Sequence, residues 1–254
     1  MSAATNPWLT RMKALPAPRA RVLCFPFAGG TSAVYRAWQD RFPADVEVCA
    51  VNLPGRGSRF TEPPIRRMDA LLDGLCSGLT PFLDRPFAVF GHSLGAVIAF
   101  EWCRLLPDRG LPSPLRLFAS GARGPQLPDP YSPIHHLPPD EFVHQMQVRY
   151  AGIPAEILAE PDLLALLLPP LQADLELFET YAFRPGPALD FPIAVFGGRQ
   201  DHRLDDRQYQ AWRQMTSRPV DFAMFDGGHF FVQESAAEVA AAVARTLARD
   251  LDGA

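Results

Sequence analysis

Short apolar runs alternate with helix-length segments along most of this chain, and that alternation restricts the fold more than any other feature. Arg21–Pro26, Val46–Val51, Phe87–Phe90, Leu115–Ala119, Ile193–Phe196 and Val220–Phe225 read as strands. Ala33–Arg41, Arg67–Leu83, Ser93–Leu106, Asp205–Gln214 and Glu234–Asp250 read as helices. Such alternation builds βαβ units on a mostly parallel sheet. The runs show little polar alternation, as expected of strands covered by helices on both faces. Ser93–Leu106 is apolar nearly all round, through Leu94, Val97, Ile98, Phe100, Trp102 and Leu105, which predicts a buried central helix. With 254 residues, 48% of them apolar, the chain can bury such a sheet in one α/β domain over residues 1–254.

The alternation fails once. Between the runs at Leu115 and Ile193 there is no strand signal, and a connection that long is functional or has its own structure. Helical patterns at Pro139–Tyr150 and Pro161–Tyr181, the second interrupted by Pro169-Pro170, make residues 124–187 a helical insertion. Leu163, Leu164, Leu167, Leu168, Leu171 and Leu175 mark one apolar face. Packing on the sheet accounts for that face, and so does a lid whose apolar side lines a pocket. The two are compatible, and a lid is the expectation.

Composition removes several classes of function. A net charge of −4 leaves no global basic field for nucleic acid. The most apolar stretch, Phe87–Phe100, is broken by Gly91, His92, Ser93 and Gly95 and cannot span a membrane. Met1–Ala20 has no apolar signal segment. Cys24, Cys49, Cys76 and Cys103 form no C-x-x-C pair, and three sit in apolar runs, so buried free thiols of a reducing, cytoplasmic setting are expected. Neither H-E-x-x-H nor a Rossmann or P-loop fingerprint is present, so no metal or cofactor is expected.

The chemistry starts at Gly91-His92-Ser93-Leu94-Gly95, which follows one strand and opens the central helix. That is the strand–turn–helix setting of a nucleophile elbow, where glycines let strand and helix approach. A serine hydroxyl needs a base. Of six histidines, His229 lies in a loop after the last strand and before the last helix, where the order Ser, acid, His puts the base. His92 belongs to the elbow as a packing or hydrogen-bonding neighbour. His135, His136 and His144 fall in the insertion and default to the surface, and His202 stays open. Asp201 follows the preceding strand at the end where α/β sheets collect catalytic groups. Asp205 and Asp206 suit a helix start, and Asp226 a turn cap. Two backbone donors would hold the oxyanion: the N–H of Leu94, and one from the loop Phe25–Gly30.

With these pieces in order, the chain resembles the type II thioesterases that accompany polyketide and nonribosomal peptide synthases. The match runs from about Trp8 to the last helix. It rests on Phe25-Pro26-x-Ala28-Gly29-Gly30, Pro54-Gly55-Arg56-x-x-Arg59-x-x-Glu62-Pro63 and the elbow. It continues through Leu171-x-Ala173-Asp174 with Glu179-Thr180-Tyr181, Phe196-Gly197-Gly198-x-x-Asp201 and Gly227-Gly228-His229-Phe230-Phe231. Leu94 stands where Met is common, and Phe27 where His or Tyr is common. The resemblance implies an α/β-hydrolase fold with Ser93, Asp201 and His229 as the catalytic triad and the N–H groups of Ala28 and Leu94 as the oxyanion hole. It implies hydrolysis of acyl groups from the phosphopantetheine arm of an acyl or peptidyl carrier protein. Such carriers are acidic, so Arg56, Arg59, Arg66 and Arg67, with Arg199 and Arg203, are candidate docking residues. A product-releasing thioesterase or cyclase, a general carboxylesterase, and a hydrolase-fold binding protein with a dead site are the alternatives. Acyl-carrier substrates tested against simple esters, and a phosphonate burst assay, separate them.

Overall fold

All six apolar runs are strands in the computed structural model, which describes residues 6–150 and 152–253. The first residues of the stretch read as lacking a signal segment lie outside that range. β2 (Ala20–Phe25), β3 (Val46–Val51), β4 (Phe87–His92), β5 (Leu117–Ser120), β6 (Ile193–Gly198) and β7 (Val220–Phe225) are parallel, and β1 (Leu9–Arg11) adds an antiparallel edge beside β3. Three residues are too few for a period-two pattern to be read, which is why β1 escapes the sequence. Sheet order is β1-β3-β2-β4-β5-β6-β7. The chain leaves β2 to one side for β3 and returns to the other side for β4. The loops after β2 and β4 therefore diverge at a switch point, where such sheets open a crevice.

Alternate residues of the parallel strands enter different cores. Leu23, Phe25 and Val89 pack with α1 (Met68–Leu79) and α2 (Leu94–Leu105), whereas Val22, Cys24 and Phe90 pack with Tyr35, Trp38 and a helix near the C-terminus. Nine residues of α2 are buried, as its all-round apolarity requires. The segment expected as a helix at Ala33–Arg41 is instead two 3₁₀ turns, Ser32–Tyr35 and Gln39–Arg41. Tyr35 and Trp38 are spaced by three, so a three-residue turn puts both rings on the sheet, and the Tyr35 hydroxyl donates to the Phe25 carbonyl. β4 and β6 run two residues past their apolar runs because Gly91, Gly197 and Gly198 still pair with their neighbours.

Between β5 and β6 lie α3 (Pro139–Tyr150), α4 (Ala155–Leu158) and α5 (Pro161–Glu179). Pro169-Pro170 does not interrupt α5. The carbonyls deprived of donors belong to Ala165 and Leu166, both exposed, so water can serve them. Leu168, Leu171 and Leu175 bury against Ile134, Phe142 and Met146 in a third cluster, while Leu163 turns to solvent. After β6 come α6 (Asp206–Gln210), α7 (Phe231–Glu234) and α8 (Ala236–Asp252). No helix among the described residues is long and apolar enough to cross a membrane.

Candidate active site

Ser93 sits at the apex between β4 and α2 with φ 54° and ψ −119°. Among the described residues it is the only non-glycine with positive φ, a strained conformation that persists only where the surroundings enforce it. The enforcement is backbone packing. A Cβ at Gly91 would overlap the Gly95 carbonyl, and one at Gly95 would overlap the carbonyl of Phe25 at the end of β2. Both glycines of the motif are therefore places where main chain lies on main chain.

The neighbouring loops bring an acid and a base to that apex. Asp201 follows β6 and His229 follows β7, and a Cβ at Gly198 would overlap the carbonyls of Gly227 and Gly228. His229 Nδ1 donates to Asp201 Oδ2 at 2.8 Å, so Nε2 is bare and accepts from the Ser93 hydroxyl at 3.0 Å. Burial favours the neutral Asp201 carboxyl. The hydrogen bond from His229, with the Arg203 N–H on Oδ1 at 3.1 Å, outweighs it and holds the carboxyl below its ordinary range.

His92 is the part of this arrangement that composition could not assign. It is fully buried, and its Nε2 donates to the His229 carbonyl at 2.9 Å. Nδ1 must then accept, and it takes the Ser120 hydroxyl at 2.9 Å. Burial, with His229 beside it, pushes the imidazole down to about 3, so it is a neutral strut between β5 and the His229 loop. The signal was its place inside the elbow, whose strand it ends.

Two clefts, of about 460 and 400 Å³, meet at Ser93, Phe178 and His229. One is walled by Arg123, Tyr181, Arg203 and Leu204, the other by Phe27, Met146, Tyr150, Leu175 and Phe230. The second also reaches Ala28 and Leu94. Leu94 is the first residue of α2, so its N–H has no intrahelical acceptor. In the loop after β2, the Gly30 N–H is taken by the Phe27 carbonyl at 2.8 Å and the Gly29 N–H by Asp174 at 2.7 Å. The Ala28 N–H is engaged in none of the loop and cap hydrogen bonds among the described residues.

A relay of this kind at the carboxyl edge of a parallel sheet invites comparison with known proteins. The thioesterase domain family matches residues 20–251. The chain belongs to the thioesterase family. It is 32% identical over 234 residues to the gramicidin S biosynthesis protein GrsT of Aneurinibacillus migulanus, covering 92% of this chain and 91% of that one. Among solved structures, RedJ, a thioesterase of the prodiginine pathway in Streptomyces coelicolor, superposes with TM-score 0.83 at 33% identity over 92% of this chain and 90% of its own. The type II thioesterase BorB of the borrelidin cluster gives TM-score 0.84 at 29% identity, over 98% and 100%. The architecture is the α/β-hydrolase fold of these enzymes.

Elsewhere in the thioesterase the structure sorts the remaining candidates. Asp205 caps α6 in a capping box with Gln208, Asp206 opens that helix, and Asp226 is a surface residue paired with Arg199 at 3.3 Å instead of a turn cap. His136, His144 and His202 are exposed, and His135 Nδ1 bonds Glu179 at 2.7 Å. Two of the candidate docking arginines are not on the surface. Arg56 is 6% exposed and bound to Asp174; Arg59, also 6% exposed, bonds Glu62 and lies 4.0 Å over the Trp8 ring. A guanidinium can be buried when a carboxylate meets it face to face; Glu62 lies only three residues from Arg59, whereas sequence spacing gave no warning that Arg56 would find Asp174, 118 positions on. Arg66 and Arg67 remain exposed, and Arg203 stacks 3.6 Å over Tyr150. All four cysteines are buried and free. Among the described residues no cluster of three His, Cys, Asp or Glu could hold a metal ion.

Proposed function

We propose that this thioesterase cleaves acyl thioesters from the phosphopantetheine arm of acyl or peptidyl carrier proteins, removing aberrant or stalled units in polyketide or nonribosomal peptide biosynthesis. The observation that carries the reading is the Ser93–His229–Asp201 relay opening onto clefts walled by the β5–β6 insertion, in a chain that matches GrsT over 92% and BorB over 98% of its length. In this reading Ser93 Oγ attacks the thioester carbonyl while His229 Nε2 takes its proton, and Asp201 holds the imidazole in that tautomer. The N–H groups of Ala28 and Leu94 receive the tetrahedral oxyanion. His229 returns the proton to the departing sulfur, then activates the water that releases the acid and restores Ser93. A thiolate leaves readily, its conjugate thiol having an ordinary pKa of about 8.5.

Helices α3–α5 act as the lid of residues 124–187 and select the acyl chain. Buried reduced thiols suit a cytoplasmic setting. The exposed arginines Arg66, Arg67 and Arg199 are the part of the docking patch that a carrier could reach. Steady-state hydrolysis of a panel of acyl-carrier proteins, against p-nitrophenyl esters of the same acids, tests the reading. A kcat/KM at least tenfold higher on carriers is expected, and a preference for simple esters would replace the proposal with a carboxylesterase.

A further inference from the structure

Three stretches distant in sequence meet beneath the cleft, and the relay uses none of them. Asp174, on the buried face of α5, is 2% exposed. Its Oδ2 accepts the Gly29 N–H at 2.7 Å and a hydrogen bond from Arg56 Nη1, and its Oδ1 accepts Arg56 Nη2 at 2.7 Å. One turn earlier on α5, Leu171 closes over the same loop: a methyl group at Gly29 would lie 3.1 Å from Leu171 Cδ1. Gly29 itself has φ +76°, so the turn suits glycine twice over.

Peptide planarity turns these contacts into an orientation. The Phe27 carbonyl and the Ala28 N–H belong to one trans peptide and point opposite ways. With that carbonyl fixed on the Gly30 N–H, the Ala28 N–H faces away from the turn's interior. The next peptide plane carries the Gly29 N–H, and Asp174 fixes it. The carboxylate holds the N–H one residue past the Ala28 donor proposed for the oxyanion, and a bare negative charge there would oppose it. Arg56 cancels that charge. A buried ion pair adds little net stability compared with apolar packing, so its value here is positional.

We propose that Asp174, neutralised by Arg56, is a positioning residue for acyl transfer, holding the Ala28 N–H on the oxyanion and making that donor depend on α5 being seated. This rests on the function proposed above. The donor acts in the transition state, so its loss lowers kcat and leaves KM.

The test is hydrolysis of butyryl-N-acetylcysteamine by the full chain and its variants, with the affinity of butylboronic acid as a tetrahedral probe. In Arg56→Met/Asp174→Leu both buried charges go together. Its kcat is expected to fall about 100-fold, the loss typical of one oxyanion donor. KM should stay within about twofold, boronate affinity should fall in step with kcat, and the pH profile should keep its midpoint. Asp174→Asn, which keeps an acceptor for Gly29, should hold kcat within about tenfold. A folded double variant with parental kcat, or equal losses in the Asn and Leu forms, overturns the proposal. If the substitutions unfold the chain, amide exchange in the unmodified protein decides: Gly29 protected and Ala28 fast supports it, and an unprotected Gly29 overturns it. Ser93→Ala runs in parallel. Hydrolysis that survives it removes the proposed function, whereas Ser93-dependent hydrolysis with an unaffected double variant removes only the role of Asp174.

Discussion

On the sheet side of the site, main chain rests on main chain: Gly91 on Gly95, Gly95 on Phe25, Gly198 on Gly227 and Gly228. On the insertion side, side chains do the holding. Asp174 grips Arg56 and Gly29, Tyr150 lies edge-on to His229 with centroids 5.8 Å apart, and Arg203 stacks on Tyr150. Backbone contacts leave no room to relax, so the reacting groups sit where the geometry must be constant. Side-chain contacts can be exchanged one at a time without moving the sheet, so the wall proposed to meet the acyl chain is free to vary. The two sides should respond to substitution differently: catalytic rate on the sheet side and, apart from Asp174 with its hold on the loop after β2, substrate preference on the insertion side.

The largest effect belongs to the relay. Ser93→Ala should abolish acyl-enzyme formation and lower kcat by about 10⁴-fold or more, and Asp201→Asn should cost a similar factor by stranding His229 in the wrong tautomer. Asp205→Asn and Asp206→Asn, on α6, should stay within about twofold. Single-turnover kinetics with an acyl-N-acetylcysteamine read all four, and a loss at Asp205 equal to that at Asp201 would move the acid. Next comes the backbone itself. Gly95→Ala forces a methyl into the Phe25 and Pro26 carbonyls, where nothing can shift cheaply. It should destabilise the fold by about 3 kcal/mol, seen by urea denaturation, and disable the site with it. A stable and active Gly95→Ala protein would erase the contrast between the two sides.

On the other side, Phe178 is the place to look, because it lines both clefts. Phe178→Ala should leave the relay intact and shift the ratio of kcat/KM between long and short acyl thioesters by about tenfold or more. A uniform loss across chain lengths would mean that α5 supports the site without selecting the chain.

The same division explains what could be read from the chain. Val46–Val51 and Val220–Phe225 match their strands end to end, and the elbow, Asp201 and His229 fall where motif and order put them. Each is a local rule: apolar runs, glycines at a turn, catalytic groups at strand ends. Asp174 was visible in the family resemblance without a role and Arg56 only as a docking candidate, since their pairing spans 118 positions. A clue did exist, an acid among Leu168, Leu171 and Leu175 on a buried helical face, which requires a cation from somewhere. Nothing local says which arginine supplies it, and composition counted both Arg56 and Arg59 as surface charge.

Acid should reveal the strut behind the relay. His92 titrates at about 3 in the folded chain and near 6.5 when free, so the unfolded state binds the extra proton between those values. Stability is therefore fully present above about pH 6.5 and declines as pH falls, by at most about 1.4 kcal/mol per pH unit from this group. Asp201, held below its ordinary range, adds loss of the same sign at the acid end. Denaturation midpoints at pH 6.5 and 4.5 should differ less in His92→Gln than in the parent. An unchanged difference would mean that His92 is already charged in the fold.

The smallest effect is the one that touches a partner. Of the arginines first grouped as a docking patch, Arg66 and Arg67 alone keep exposed heads after β3, each with a carboxylate beside it: Glu176 for Arg66 and Asp69 for Arg67. If they steer an acidic carrier, Arg66→Glu with Arg67→Glu should lower kcat/KM for acyl-carrier protein by about three- to tenfold, through association. Salt should imitate the loss, since the screening length falls from about 10 Å at 0.1 M to about 3 Å at 1 M. A small acyl thioester should feel neither change. The control also bears on the contrast between the two sides, because Glu176 sits on α5 two residues beyond Asp174. Were the small substrate to slow as well, the Arg66–Glu176 pair would be seating α5 over the oxyanion loop, and the arginine would belong to the insertion's framework with the carrier docking elsewhere.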